Sequence, residues 1–136
     1  PTSTPETIMQ NSKTIICNST HGLGVNERVL QAMMNGCVVL HHRCENDGVP
    51  GSLCSEFTDG EHFISFSSDD FGESTLKVLH DSAFRRKIAV HAWQAVVRDH
   101  LWSNRTSQLL NDLENVSDFA LMPIRTLFGL ISRMIT

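Results

Sequence analysis

The chain has 136 residues, 40% of them hydrophobic and 19% charged, with a net charge of −4 from 11 basic and 15 acidic side chains. That size suits one soluble domain burying roughly two-thirds of its unfolded surface, and the acidic balance argues against a surface that grips nucleic acid by neutralising phosphates. No uncharged apolar run reaches the roughly 18 residues of a membrane span, and the first thirty residues lack a secretion signal.

Taken in chain order, Thr14-Ile15-Ile16-Cys17, Cys37-Val38-Val39-Leu40 and Phe63-Ile64-Ser65-Phe66 are short, β-rich, apolar runs bounded by turn residues, and they predict three buried strands. Between the first two, Val25, Val29, Ala32, Met33 and Gly36 share one helical face, with Asn35-Gly36 as the stop. A crossover of this length joins parallel strands with a right-handed turn, so the expected sheet is parallel and covered on both faces. After the third strand, Asp70 and Glu73 have capping-box spacing and begin a helix whose apolar face is Phe71, Thr75, Val78 and Leu79. Asp81-Ser82 restarts the pattern with Phe84, Ile88, Ala92 and Ala95, predicting a helix to about Asp99. Ser103 is expected to cap a further helix carrying Thr106, Leu109, Leu110 and Leu113. The stretch from His41 to about Glu61 reads as one long irregular loop.

The last twenty residues change character: Phe119, Met122, Ile124, Leu127, Phe128, Ile131, Met134 and Ile135 form a wide apolar helical face flanked by Arg125 and Arg133. Three readings stand for this segment. It packs on the rest of the protein or on a missing domain, lies on a membrane surface, or mediates self-association.

The four cysteines, Cys17, Cys37, Cys44 and Cys54, are spaced by 20, 7 and 10 residues and match neither a zinc ribbon nor a dense disulfide framework. Reduced thiols in a cytoplasmic protein, peripheral to a membrane if the last helix lies on one, are expected. His41-His42-Arg43-Cys44, with Cys54 and His62, supplies metal-ligand types, but at spacings of no familiar zinc site, so no metal is predicted. His41 follows a strand and is a candidate cleft residue. Trp93 and Trp102 read as packing residues. No nucleophile and base pair off by spacing, and the catalytic residues are unassigned.

In an open parallel sheet, ligands sit beyond the carboxyl ends of the strands, where a loop enters a helix N-terminus. Here that place is Asn18-Ser19-Thr20-His21-Gly22-Leu23-Gly24, leading into Val25-Asn26-Glu27. Gly22 and Gly24 let backbone approach a ligand, and the helix start suits a phosphate; a purely structural turn is the competing reading. Glu27 and Gln31, four apart near the positive end, are candidates for bonding sugar hydroxyls or form a solvated face.

The run Asn26-Glu27-Arg28-Val29-Leu30-Gln31-Ala32-Met33-Met34-Asn35-Gly36, followed by Cys37-Val38-Val39-Leu40, resembles the donor-binding segment of two-Rossmann-domain (GT-B) glycosyltransferases. The similarity is to the group-1-like family that includes spore-maturation-type enzymes. Phe57-Thr58-Asp59-Gly60-Glu61-His62-Phe63, the Asp81 to Ala95 helix and His100-Leu101-Trp102-Ser103-Asn104-Arg105 resemble later segments of that family in order and spacing, covering about Asn11 to Leu113.

With the resemblance, the chain is expected to have an α/β fold, a Rossmann-like partial parallel sheet of about three strands with flanking helices, to which the apolar pattern of the last twenty residues adds a C-terminal helical extension. Residues 1–116 would be the C-terminal part of a GT-B nucleotide-sugar-binding domain, and 117–136 an amphipathic C-terminal helix. The resemblance also implies a nucleotide-diphosphate sugar as the donor, no cofactor, transfer to an acceptor without a metal held by Asp-x-Asp, and a partner in a missing N-terminal acceptor domain. The chain, without a methionine at Pro1, reads as part of a longer protein. Carried over residue by residue, His21, Gly22, Gly24, Asn26, Glu27, Arg28 and Gln31 would form the donor site. Gln31 stands where the family has a ribose-binding Glu, a loss of charge that keeps hydrogen-bonding capacity. The base would come from the missing half, so the chain alone is expected to be inactive. The alternative is a noncatalytic Rossmann-like interaction module.

Overall fold

The computed structural model describes residues 4–17, 25–44 and 47–115. A short helix α1 (Pro5–Gln10), capped by Thr4, leads into strand β1 (Thr14–Cys17). Helix α2 (Glu27–Met34) and strand β2 (Val38–His42) follow. Next come α3 (Leu53–Glu56), β3 (Ile64–Phe66), α4 (Phe71–His80), α5 (Ser82–Asp99) and α6 (Trp102–Asn115). The chain divides into two compact units, Pro1–His100 and Leu101–Thr136.

In the first unit the strands form one parallel sheet in the order β1-β2-β3, as the crossover lengths require. Alternation along the central strand feeds two cores. Cys37 and Val39 join Val29, Ala32, Met33, Phe63, Ala92, Ala95 and Val96 on one face. Val38 and Leu40 join Phe66, Val78 and Ile88 on the other. Helix α5 contributes Ile88 to the second core and Ala92, Ala95 and Val96 to the first, so it is buried on more than one stripe along its length.

The predicted strand β1 has the observed bounds, while β2 begins one residue later than Cys37 and runs two further, through His41 and His42, and β3 begins one residue later than Phe63. Helix α2 ends at Asn35-Gly36, where Gly36 takes φ +75, a left-handed conformation that a Cβ disfavours. Asp81 caps α5 by accepting from Phe84 N–H at 2.9 Å. Three expectations are corrected. Asp70 stands at the start of α4 but makes no side-chain cap bond, because its carboxylate accepts from Ser67 N–H and from Arg43 Nη1 at 3.1 Å. Ser103 lies inside the first turn of α6, which begins at Trp102. The expected long loop contains α3, capped by Ser52.

Within the second unit, α6 carries Leu109, Leu110 and Leu113 in exposed positions, and Trp102 is 89% exposed rather than packed. The boundary expected at 116–117 and the apolar segment beyond it lie outside the described residues. Among the described residues no helix is long and apolar enough to cross a membrane.

Candidate functional site

Two clusters meet the carboxyl edge of the sheet, where β1, β2 and β3 end at Cys17, His42 and Phe66. The first is the start of α2. Asn26 is its N-cap, in extended conformation, with Oδ1 accepting from Val29 N–H at 3.0 Å; such a cap stabilises by about 1 kcal/mol. Its carbonyl-type oxygen therefore serves the helix. One turn on, Gln31 Nε2 donates to Glu27 Oε1 at 2.8 Å, so the two predicted residues share a face. Glu27 and Arg28 are exposed and Gln31 half-buried. Burial pushes the Cys17 thiol up, and the positive charge of Arg28 opposes it, which sets Arg28 within electrostatic reach of the end of β1. His21, Gly22 and Gly24 lie outside the described residues. Glu27 and Gln31 thus meet on the first turns of α2, and Arg28 stands next to Glu27 in the chain at the helix N-terminus, whose partial positive charge favours anions.

The second cluster is built on β2 and the segment after it. The parallel register sets His41 between Cys17 and Ser65. His41 is 2% exposed and meets Phe63 edge-on, the ring centroids 5.8 Å apart. Its Nε2 lies 2.9 Å from Asp47 Oδ1; because a carboxylate only accepts, Nε2–H donates. The other oxygen, Asp47 Oδ2, accepts from Cys44 N–H at 2.9 Å. Ser52 Oγ donates to Asp47 O at 2.6 Å and accepts from Ser55 N–H, tying the turn to α3. Burial pushes the Asp47 carboxyl up, but the bonds from His41 and Cys44 and the positive charge of His41 and His42 outweigh it. The carboxyl is therefore held below its ordinary range.

Beside this turn, Asp59 accepts from both Ser65 N–H and Ser65 Oγ–H. Arg43 spans the gap, donating from Nε to Ser65 Oγ at 3.0 Å and from Nη1 to Asp70 at 3.1 Å. His62 Nδ1 accepts from Thr58 N–H at 2.9 Å, which needs an unprotonated nitrogen. Burial, with the charges of His91 and Arg98, lowers the His62 pKa against the opposing pull of Glu61. Burial pushes the Cys54 thiol up as well, and the negative charges of Asp47 and Asp59 act in the same direction.

The sequence pattern assigns no site role to Arg43, Asp47, Asp59 or Ser65. The pairs Asp47-Gly48 and Asp59-Gly60 did carry a turn signal. A separate recess on α5 is lined by Ser82, Ala83, Arg86, Lys87, Val90 and His91 and includes none of the described donor candidates, Asn26, Glu27, Arg28 and Gln31.

A sequence model described as glycosyl transferase-like matches residues 6–111, well over half of the chain. The chain belongs to this glycosyl transferase-like family, of the group-1-like kind. No curated protein and no solved structure matches it. The matched span of this glycosyl transferase-like chain includes the whole sheet, both clusters and α2 through α5. The group-1-like assignment accords with the residues on which the resemblance was drawn, from Asn26 to Leu40 and from Phe57 to Arg105.

Proposed function

We propose that the chain is the carboxyl-terminal part of the donor domain of a GT-B glycosyltransferase of spore-maturation type, and that it holds a nucleotide-diphosphate sugar at the start of α2. The observation that carries this reading is the Glu27–Gln31 pair, joined at 2.8 Å on the first turns of a helix that opens at the carboxyl edge of a parallel sheet. Family membership supports it.

In this reading the diphosphate meets the Gly22 to Asn26 backbone and Arg28, whose guanidinium supplies charge to phosphate oxygens. Gln31 commits its amide N–H to Glu27, and this fixes the Glu27 carboxylate for accepting ribose hydroxyls. A carboxylate therefore faces the sugar from position 27, one turn earlier than the family's Glu, which is Gln31 here. The sugar passes to an acceptor held by a missing N-terminal domain, which also supplies the base, and the transfer uses no metal held by Asp-x-Asp. A cytoplasmic setting fits four cysteines, none of which forms a disulfide among the described residues.

The test is calorimetric titration of the chain with nucleoside diphosphates and nucleotide sugars, with Arg28→Ala alongside. A ligand that binds only the folded state raises the melting temperature. Binding of one nucleotide class that weakens at least tenfold in Arg28→Ala is expected; no binding of any class overturns the donor reading. Incubation with activated sugars is expected to give no turnover from the chain alone, and measured transfer overturns that part.

A further inference from the structure

The turn after β2 gathers three different metal-ligand side chains that the donor site does not use. The donor atoms of His41, Cys44 and Asp47 all lie within 4.8 Å of one another. We propose that His41 Nε2, Cys44 Sγ and an Asp47 carboxylate oxygen bind one divalent metal of the zinc class, clamping the end of the central strand to the turn that leads into α3.

The chemistry of the set selects the metal. One imidazole, one thiolate and one carboxylate make a borderline-soft site, which suits zinc or cobalt and is a poor match for magnesium or calcium, whose ligands are oxygens. A tetrahedral ion at normal bond lengths places such donors about 3.3–3.6 Å apart. The His41–Asp47 pair, now at 2.9 Å, opens slightly, and no donor travels more than about 1.5 Å. Three protein ligands leave one position open, as in other three-ligand zinc sites.

The surroundings are already arranged for coordination. His41 is 2% exposed and braced by the Phe63 ring, so its imidazole has little freedom. Asp47 keeps one oxygen on Cys44 N–H while the other turns to the ion, the outer bond that orients a metal-binding carboxylate. Among the described residues no lysine or arginine pairs with Asp47, so its charge is met by histidine alone. Cys44 and Asp47 are partly accessible, which gives the ion a way in.

Protons balance simply. The ion takes the place of the His41 Nε2 proton, which leaves the ring with a proton on Nδ1, and the Cys44 thiol proton, donated to His42 O before binding, passes to solvent. Metal and protons therefore compete for the same atoms, and binding tightens as pH rises.

Cobalt titration of the full chain is the test, because a thiolate-bound tetrahedral cobalt shows visible d–d bands and a near-ultraviolet charge-transfer band. The expected result is one equivalent, with intensity for a single thiolate, displaced by zinc and untouched by magnesium. Cys44→Ser removes the charge-transfer band, and Asp47→Asn weakens zinc binding at least tenfold. Cys54→Ser leaves the band in place, and far-ultraviolet circular dichroism checks that each variant is folded. Absence of the bands in the folded wild type, survival of the charge-transfer band in Cys44→Ser, its loss in Cys54→Ser, or displacement by magnesium overturns the proposal.

Discussion

The start of α2 and the turn after β2 both meet the carboxyl edge of the same sheet, yet they are built from different kinds of contact. At α2 the functional side chains are exposed or, for Gln31, half-buried, and their bonds run between residues three or four apart, Asn26 to Val29 and Glu27 to Gln31. At the turn His41 and Ser65 are buried, Cys44, Asp47 and Asp70 half-buried and Arg43 exposed, and the bonds of Arg43 join segments that only the sheet brings together, Arg43 to Ser65 and Arg43 to Asp70. A surface pair of the first kind contributes little to stability and is free to be spent on a ligand. A buried polar network of the second kind is costly to leave half-satisfied, so it holds backbone in place.

The largest effect that would break this contrast is expected from Phe63→Ala. Phe63 is fully buried, fills the first core and braces His41. Removing the ring should cost about 3–5 kcal/mol, read by urea denaturation, and loosen the turn while α2 keeps its local bonds. A loss under about 1 kcal/mol would show that the turn does not depend on the core beneath it.

A smaller loss is expected from Asp47→Ala, which leaves His41 Nε2–H and Cys44 N–H without their acceptor, at about 1–3 kcal/mol. Its pH dependence has a definite sign. The Asp47 carboxyl is depressed in the folded state, so its contribution is fully present above the unfolded value of about 3.9 and is lost as pH falls below that. Wild type and variant should therefore differ at pH 7 and converge under strongly acidic conditions, in parallel denaturant titrations. A constant difference down to pH 2 would remove the carboxylate from the account.

The smallest stability effect belongs to Gln31→Ala, which breaks one exposed pair worth about 0.2–0.5 kcal/mol. Its effect on nucleotide binding should be far larger than its effect on melting temperature, and the two measured together sharpen the contrast. A variant that melts several degrees lower with ligand affinity unchanged would reverse the roles assigned to the two regions.

Much of this molecule was legible in the sequence because its periodicities are local. The sequence marks Thr14–Cys17 at its observed bounds, α2 with its Gly36 stop, and α5 from the restart at Asp81-Ser82 with its Ile88, Ala92 and Ala95 stripe, since each depends on residues within a turn or two. The Glu27–Gln31 face follows from the same spacing. Where local rules competed, they misled. The Asp70 and Glu73 spacing suggested a capping box, but Arg43, distant in sequence, shares the carboxylate with Ser67 N–H. Four residues were too few for a period to reveal α3.

By itself, then, the sequence determined an open parallel α/β scaffold, a helix opening at its carboxyl edge and membership of a glycosyltransferase family. Only the tertiary structure decided that His41, Cys44 and Asp47 converge and that Ser65, Asp59, Arg43 and Asp70 interlock. The physical reason is register. Parallel pairing aligns His41 with Ser65 and His42 with Phe66, and a packed Phe63 holds the imidazole toward the turn; none of this leaves a period in the chain.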